Sequence, residues 1–289
     1  MTARTVGVVG AGRMGTAIVE RLLDQGHPVL VADAASEARD RCAALGAEVA
    51  GSPGEVAARC EPTIVVVNTD QQSLDVVLGD DGILSGAPSG AVVVVHSTVH
   101  LDTLRTLVSA ATARGVTIVD AGVTGGSDPA RRGELAVLIG ADADTVERIR
   151  PTVAAYASLI VHTGGPGTGM AAKHAVQTVL MGKLAATYEG LLLAHAAGVD
   201  VERFAEVVQH AEDASGIHAF VLGARARAMA GHEDPTWTQI CTHQLPVACK
   251  DLDAAAALAD ELELPLAVTR AARHDMPAVW SGRNEGEPS

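Results

Sequence analysis

Aromatic side chains are scarce: the 289 residues hold two Phe, two Tyr and two Trp. Interiors must therefore be packed with Ala, Val and Leu, and aromatic platforms for stacking nucleic-acid bases are not expected. Positive charge is also short, with 21 Lys and Arg against 35 Asp and Glu and a formal net charge of −14. No basic stripe is available to neutralise phosphates, so nucleic acid is not an expected partner. Long apolar runs are missing, and none approaches the ~20 residues of a membrane span. The opening MTARTVGVV lacks the n-region, h-region and cleavage site of a signal peptide. The expectation is a cytoplasmic protein without a membrane partner. Cysteine is limited to Cys42, Cys60, Cys241 and Cys249, with no C-x-x-C spacing, which predicts reduced thiols. Cys241, His243 and Cys249 lack paired-ligand spacing, and no metal site is expected.

What the chain does have is a 48% hydrophobic composition arranged in two styles. Short β-branched runs at 6–9, 28–32, 64–67, 92–95, 116–119 and 135–139 alternate with helical stretches, and several are apolar throughout, as in VVVV at 92. Strands that are apolar on both faces belong to a mostly parallel sheet covered by helices on both sides. After HTGGPGTG at 162–169, Ala, Leu and Glu take over, and 170–196 contains no proline. One long helix is expected there, with Gly182 and Gly190 as places where it bends. The predicted organisation is a doubly wound α/β domain over 1–162, an all-helical domain over 163–280 that forms substrate and dimer contacts, and a disordered tail over 281–289.

The segment VGVVGAGRMGTAIVERLL at 6–23 runs a strand into Gly10, Gly12 and Gly15 and then into helical spacing at Met14, Ala17, Ile18 and Leu22. G-x-G-x-x-G alone is a weak signal. Here a second strand, HPVLVAD, ends in Asp33 eighteen residues beyond Gly15, which completes a dinucleotide-binding fingerprint. In that geometry Gly10 makes the turn, Gly12 admits the pyrophosphate, and Gly15 lets helix and strand pack closely. The free N–H groups of the helix N-terminus then face the phosphates. Asp33 can accept both ribose hydroxyls of NAD and would repel the 2′-phosphate of NADP. Ala34 supplies no cation beside it, so NAD is expected over NADP, although Arg39 and Arg41 on the next helix keep NADP open.

Three further segments point to chemistry. GTGMAAKHAVQ places Lys173 one helical turn before Gln177 on the same face. A lysine near a helix N-terminus and a nicotinamide cation has its charged form disfavoured, which suits it to move a proton. DAGVTGG at 120–126 and HST at 96–98 each follow a predicted strand at the sheet edge where ligands of open α/β folds bind. The first is expected to be a glycine loop whose N–H groups hold a carboxylate.

Taken together and in order, G-x-G-x-M-G, DAGVTGG, GPGTGMAAK and KDLDAA at 250–255 resemble the β-hydroxyacid dehydrogenase family over nearly the whole chain. The resemblance implies a Rossmann domain followed by an all-helical domain, with Lys173 as the catalytic acid or base. It implies substrate contacts from Ser97, Thr124, Gly125, Gly126 and Gln177. The cofactor set is expected to be Gly10, Ala11, Gly12, Arg13, Met14, Gly15, Asp33, Asn68, Thr98 and Lys250.

Departures from the family pattern gather at the substrate end. His96 stands where Asp is usual, Gly122 and Thr124 where Pro and Ser are usual, and Gln177 where Asn is usual. A histidine at a strand end is more often a structurally hydrogen-bonded residue, and His96 is read so first, with an additional substrate contact as the alternative. The expected activity is hydride transfer between NAD and a small 3-hydroxy carboxylate or its semialdehyde or ketone, by a homodimer or larger homo-oligomer. The rival readings are an NADPH-dependent aldehyde or imine reductase of the same fold, whose imine-reducing relatives lack the lysine, and a silent NAD-binding regulator, which would be expected to have lost Lys173 or Lys250.

Overall fold

The computed structural model describes residues 4–215, 221, 223, 224, 227, 232 and 235–281. The chain divides into two compact units, Met1–Gln177 and Thr178–Ser289. Apart from Ser281, the tail expected to be disordered lies outside the described residues.

The first unit is an eight-stranded sheet, β1 (Val6–Val9), β2 (Val29–Ala32), β3 (Glu48–Val49), β4 (Thr63–Val65), β5 (Val92–Val95), β6 (Thr117–Thr124), β7 (Leu135–Gly140) and β8 (Ala157–Gly164). The order across it is β3-β2-β1-β4-β5-β6-β7-β8. β1 to β6 run parallel, β7 pairs antiparallel with β6, and β8 is parallel to β7. Every residue of β1, β2 and β5 is buried, because successive side chains enter two different cores. Val6, Val8, Val92 and Val94 join one apolar cluster, and Val9, Leu30, Val93 and Val95 join the other.

Helices connect the strands: α1 (Arg13–Asp24), α2 (Ser36–Ala44), α3 (Pro53–Arg59), α4 (Asp70–Leu78), α5 (Ile83–Gly86), α6 (Leu101–Thr112), α7 (Ser127–Arg132) and α8 (Ala143–Val153). α1 buries Ala17, Ile18, Val19 and Leu22 against the sheet. α4 begins with a capping box in which Thr69 Oγ1 accepts from the Gln72 N–H and Gln72 Oε1 accepts from the Thr69 N–H. β2 and β4 flank β1 on opposite sides, so the chain leaves β1 at the point where the strand order reverses, which opens a crevice at its carboxyl end.

The sheet is larger than the apolar runs indicate. β3 has two exposed residues, and β8 alternates irregularly, with Leu159 55% exposed. β6 continues to Thr124 because β7 supplies partners from Asp120 opposite Gly140 to Thr124 opposite Ala136. β4 stops at Val65, leaving Val66 and Val67 to line the crevice.

The long helix α9 (Thr168–Ala196) has 29 residues and runs unbroken through Gly182 and Gly190. The unit boundary falls within it. Gly190 is matched to its neighbour: a Cβ there would stand 3.3 Å from Phe204 on α10 (Val201–Ser215). The second unit also contains α11 (Pro235–Glu261) and α12 (Ala267–Ser281). Both tryptophans lie in its core, Trp237 stacked on Trp280 with centroids 5.7 Å apart. Glu189 on α9 accepts N–H bonds from Val268 and Thr269, each 2.7 Å, which satisfies the first turn of α12. Among the described residues, no helix is long and apolar enough to cross a membrane.

Candidate active site

The glycine turn after β1 is built for close approach. Gly10 has φ +96°, and a Cβ on it would lie 2.2 Å from the Val66 carbonyl oxygen. A Cβ on Gly15 would lie 2.0 Å from the Gly10 carbonyl oxygen, so any other residue would force α1 off the loop. Gly12 faces open space and caps α1, whose first N–H groups receive no side-chain cap. That end of α1 is therefore available to an anion.

Asp33 stands just beyond β2. Its Oδ2 accepts from the Ala11 N–H at 2.5 Å and its Oδ1 from the Ala35 N–H at 2.8 Å, so the carboxylate ties the glycine turn to the second strand. Beside it, Arg39 Nη1 donates to the carbonyls of Asp33 and Ala34 at 2.7 and 3.0 Å. A cleft of about 600 Å³ runs past Gly10, Gly12, Asp33, Arg39, Arg41 and Asn68. Arg13 and Met14 line a second cavity of about 370 Å³ together with Gly125, Gly126 and Ser127, so the two glycine turns face one space.

DAGVTGG is not a loop over its full length. Asp120 to Thr124 belong to β6, and only Gly125 and Gly126 lie beyond it, with φ +132° and +95°. The expected cradle of N–H groups thus narrows to the turn after Thr124, because the preceding residues are engaged in the β6–β7 ladder.

Lys173 is 6% exposed. Its Nζ donates to Thr124 Oγ1 at 3.0 Å and to Gln177 Oε1 at 3.2 Å. Burial pushes its pKa below the ordinary lysine value. Among the described residues no carboxylate lies within ion-pair distance of this ammonium. Its two neutral acceptors orient it without fixing its proton, a suitable environment for a group that gives and takes one.

Ser97 is buried, and its Oγ accepts from the Val67 N–H at 2.8 Å, joining the ends of β4 and β5. Thr98 beside it is exposed. Asn68 is exposed at the cleft, its N–H donating to Gln72 Oε1 at 2.9 Å. Lys250 lies on α11 in the second unit, exposed and paired with Asp251 at 3.1 Å.

His96 does not face a ligand. It is 2% exposed, with Nδ1 2.5 Å from the Ala121 carbonyl and Nε2 2.8 Å from the Tyr156 hydroxyl. Nδ1–H donates to the carbonyl, and Nε2 accepts from the tyrosine. Burial lowers its pKa to about 4, so the ring is neutral at physiological pH. Two residues of DAGVTGG to which the motif assigns no role, Asp120 and Gly122, pack against the start of α9. The buried Asp120 carboxylate accepts from the N–H groups of Gly167 and Met170, both at 2.7 Å, and Gly122 lies directly beneath the stem of Lys173. Their signal in sequence is period-2 spacing with Thr124, visible only once 120–124 is read as strand.

Residues 5–164 match the NAD-binding domain of 6-phosphogluconate dehydrogenase, and 167–287 match the NAD-binding domain of NADP-dependent 3-hydroxyisobutyrate dehydrogenase. The chain belongs to the β-hydroxyacid dehydrogenase family. As a family member it is an NAD(P)-dependent oxidoreductase of the 3-hydroxyisobutyrate dehydrogenase type. An uncharacterised oxidoreductase of Mycobacterium tuberculosis is 33% identical over 91% of this chain and 89% of its own length. An NAD-dependent L-serine dehydrogenase of Pseudomonas aeruginosa is 30% identical over 71% of this chain and 69% of its own. The crystal structure of a protein from Mycobacterium avium 104, described as an oxidoreductase, superposes with a TM-score of 0.85 at 31% identity, over 97% of this chain and 99% of that one. Imine reductases share the fold: the one from Myxococcus stipitatus has a TM-score of 0.81 at 23% identity, over 97% of this chain and 96% of its own.

Proposed function

We propose that this family member transfers a hydride between NAD and a small 3-hydroxy carboxylate, or the corresponding semialdehyde or ketone. The observation that carries the reading is the buried Lys173 ammonium, held by Thr124 and Gln177 beside the Gly125–Gly126 turn. The donors present fit a dinucleotide. The uncapped first turn of α1 and the bare Gly12 suit a pyrophosphate, and Asp33 suits an adenosine ribose. Ala11, Arg13, Met14, Asn68, Thr98 and Lys250 are assigned to the same cofactor. The nicotinamide supplies the hydride acceptor in oxidation and the donor in reduction.

The remaining work falls to the chain. Lys173 takes the hydroxyl proton in the oxidative direction and returns it in the reductive one, and the burial that depresses its pKa eases release of the proton from the ammonium. Thr124 and Gln177 aim the amine. Gly125 and Gly126 offer N–H groups to the substrate carboxylate, and Ser97, whose oxygen already accepts from Val67, offers its O–H. The helical region 163–280 is proposed to contribute substrate contacts and a homodimer contact. The apolar surface of α9, where Val179, Leu184 and Tyr188 are each at least 60% exposed, supports that role.

NAD rather than NADP is favoured by Asp33 followed by Ala34. Arg39 and Arg41 in the same cleft support the competing NADP reading. An L-serine dehydrogenase among the relatives supports a 3-hydroxy carboxylate, since serine carries a hydroxyl at that carbon. Imine reduction is the second reading, favoured by the shared fold. A panel of 3-hydroxy acids with NAD, followed by NADH absorbance, is expected to yield turnover on at least one small acid. Turnover only of cyclic imines with NADPH would replace this reading with the second.

A further inference from the structure

Asp120, Gly122 and Thr124 stand at alternate positions of β6 and so share one face of that strand, the face on which the start of α9 lies. We propose that this face is the seat of Lys173, with Asp120 and Gly122 acting as positioning residues for the proton-transfer step. The inference rests on the reading of Lys173 as the proton-transfer group.

Each position takes a different part of the helix. Asp120 is 1% exposed, and its two oxygens accept separately, Oδ1 from the Gly167 N–H and Oδ2 from the Met170 N–H. These bonds are charge-assisted and satisfy N–H groups that the start of α9 would otherwise leave open. The carboxylate is walled in: a Cβ on Gly140 would lie 2.7 Å from both of its oxygens, and a Cβ on Gly169 would lie 2.6 Å from the Asp120 carbonyl. It has no path to a substrate. Burial raises its pKa, and the two N–H bonds pull in the opposite direction.

Lys173 follows Met170 by three residues, about one turn along α9. A Cβ on Gly122 would stand 2.5 Å from Lys173 Cβ and 2.9 Å from its Cγ. These atoms are the base of the side chain and cannot swing aside without moving the helix. The strand therefore fixes the helix end through Asp120, the lysine stem through Gly122 and the ammonium through Thr124.

Asp120→Asn keeps the shape but replaces one acceptor with an amide donor facing an N–H. Gly122→Ala leaves Asp120 intact and lifts the lysine stem. Both are compared with Lys173→Ala on the best 3-hydroxy acid, with KM for NAD and the pH profile of kcat/KM measured alongside. Both positioning variants are expected to lose roughly 10- to 100-fold in kcat, the cost of misplacing a reacting group by up to about 1 Å, while KM for NAD stays within about twofold. The kinetic pKa assigned to Lys173 is expected to rise as the amine regains solvent, a shift that general destabilisation does not produce. Wild-type kcat and an unmoved pH profile in both variants, with Lys173→Ala impaired, would overturn this inference and leave the catalytic reading standing. Full activity in Lys173→Ala would overturn both. If Asp120→Asn fails to bind NAD because it does not fold, Gly122→Ala alone decides.

Discussion

Protonation of His96 should destabilise the first unit as pH falls, by an amount that its burial sets. The ring is buried, which holds its pKa at about 4, against an ordinary value of 6.5. Between those values the unfolded chain binds a proton that the folded chain refuses, so stability rises with pH across that window and is lost as pH drops from above 6.5 toward 4. A gap of about 2.5 pH units, at 1.36 kcal/mol each, gives a ceiling of roughly 3 kcal/mol. His96→Gln removes the titration while keeping a polar group between Ala121 and Tyr156. Urea unfolding of both proteins, followed by far-ultraviolet circular dichroism from pH 4.5 to 7.5, isolates the histidine, because the carboxylates titrate alike in both. The variant is expected to be less stable at pH 7.5 and to lose less on acidification. Equal pH dependence in the two proteins, or a His96 resonance titrating near 6.5 by NMR, would refute the reasoning.

Replacing Asp33 with Ser and Ala34 with Arg should move cofactor preference toward NADP, by removing a repulsive carboxylate and adding a phosphate partner. Steady-state kinetics with both cofactors check it, and an unmodified protein that turns over NADPH as efficiently as NADH contradicts the role given to Asp33. Gly15→Ala drives a methyl against the Gly10 carbonyl and should cost about 1–3 kcal/mol as well as weakening NAD binding. Thermal melting and NAD titration read both effects, and wild-type values in each would show that the turn yields. Light scattering at micromolar concentration should return at least twice the chain mass, and a monomer mass would remove the dimer role proposed for the helical region.

How much of this was legible in the sequence depended on whether the deciding partner was local. Gly10, Gly12, Gly15 and Asp33 lie within one βαβ unit, and the spacing that makes them a site is visible in a window of 28 residues, 6 to 33. The valine runs of β1 and β5 were readable for a similar reason, since strands covered on both faces need no alternation. The apolar run of β6 marks only the start of the strand, because Gly122, Gly125 and Gly126 look like turn residues and the partner that extends the strand is β7, antiparallel to it. β8 carries no strand signal in the sequence, because an edge strand with Leu159 turned outward has no clean period. For His96 a structural hydrogen-bonding role is legible at a strand end, but its two partners, Ala121 and Tyr156, are not, because they lie 25 and 60 residues away. Lys173 was visible through its motif. Its burial, and the part of Asp120 in holding its helix, emerge only when the strand and α9 are brought together.

The central claim is that Lys173 moves the proton, and Lys173→Ala on the best 3-hydroxy acid tests it most directly. The account predicts a kcat lower by about 100- to 10,000-fold, the usual worth of general acid–base catalysis, with NAD affinity nearly unchanged. Lys173→Arg should fail to restore the rate, since a guanidinium keeps its proton throughout the working range. In the wild type, oxidation should rise with pH through a kinetic pKa below the usual lysine value of about 10.4, as burial dictates. A Lys173→Ala enzyme that keeps more than about a tenth of the wild-type kcat, a loss far below what such catalysis contributes, would contradict the account.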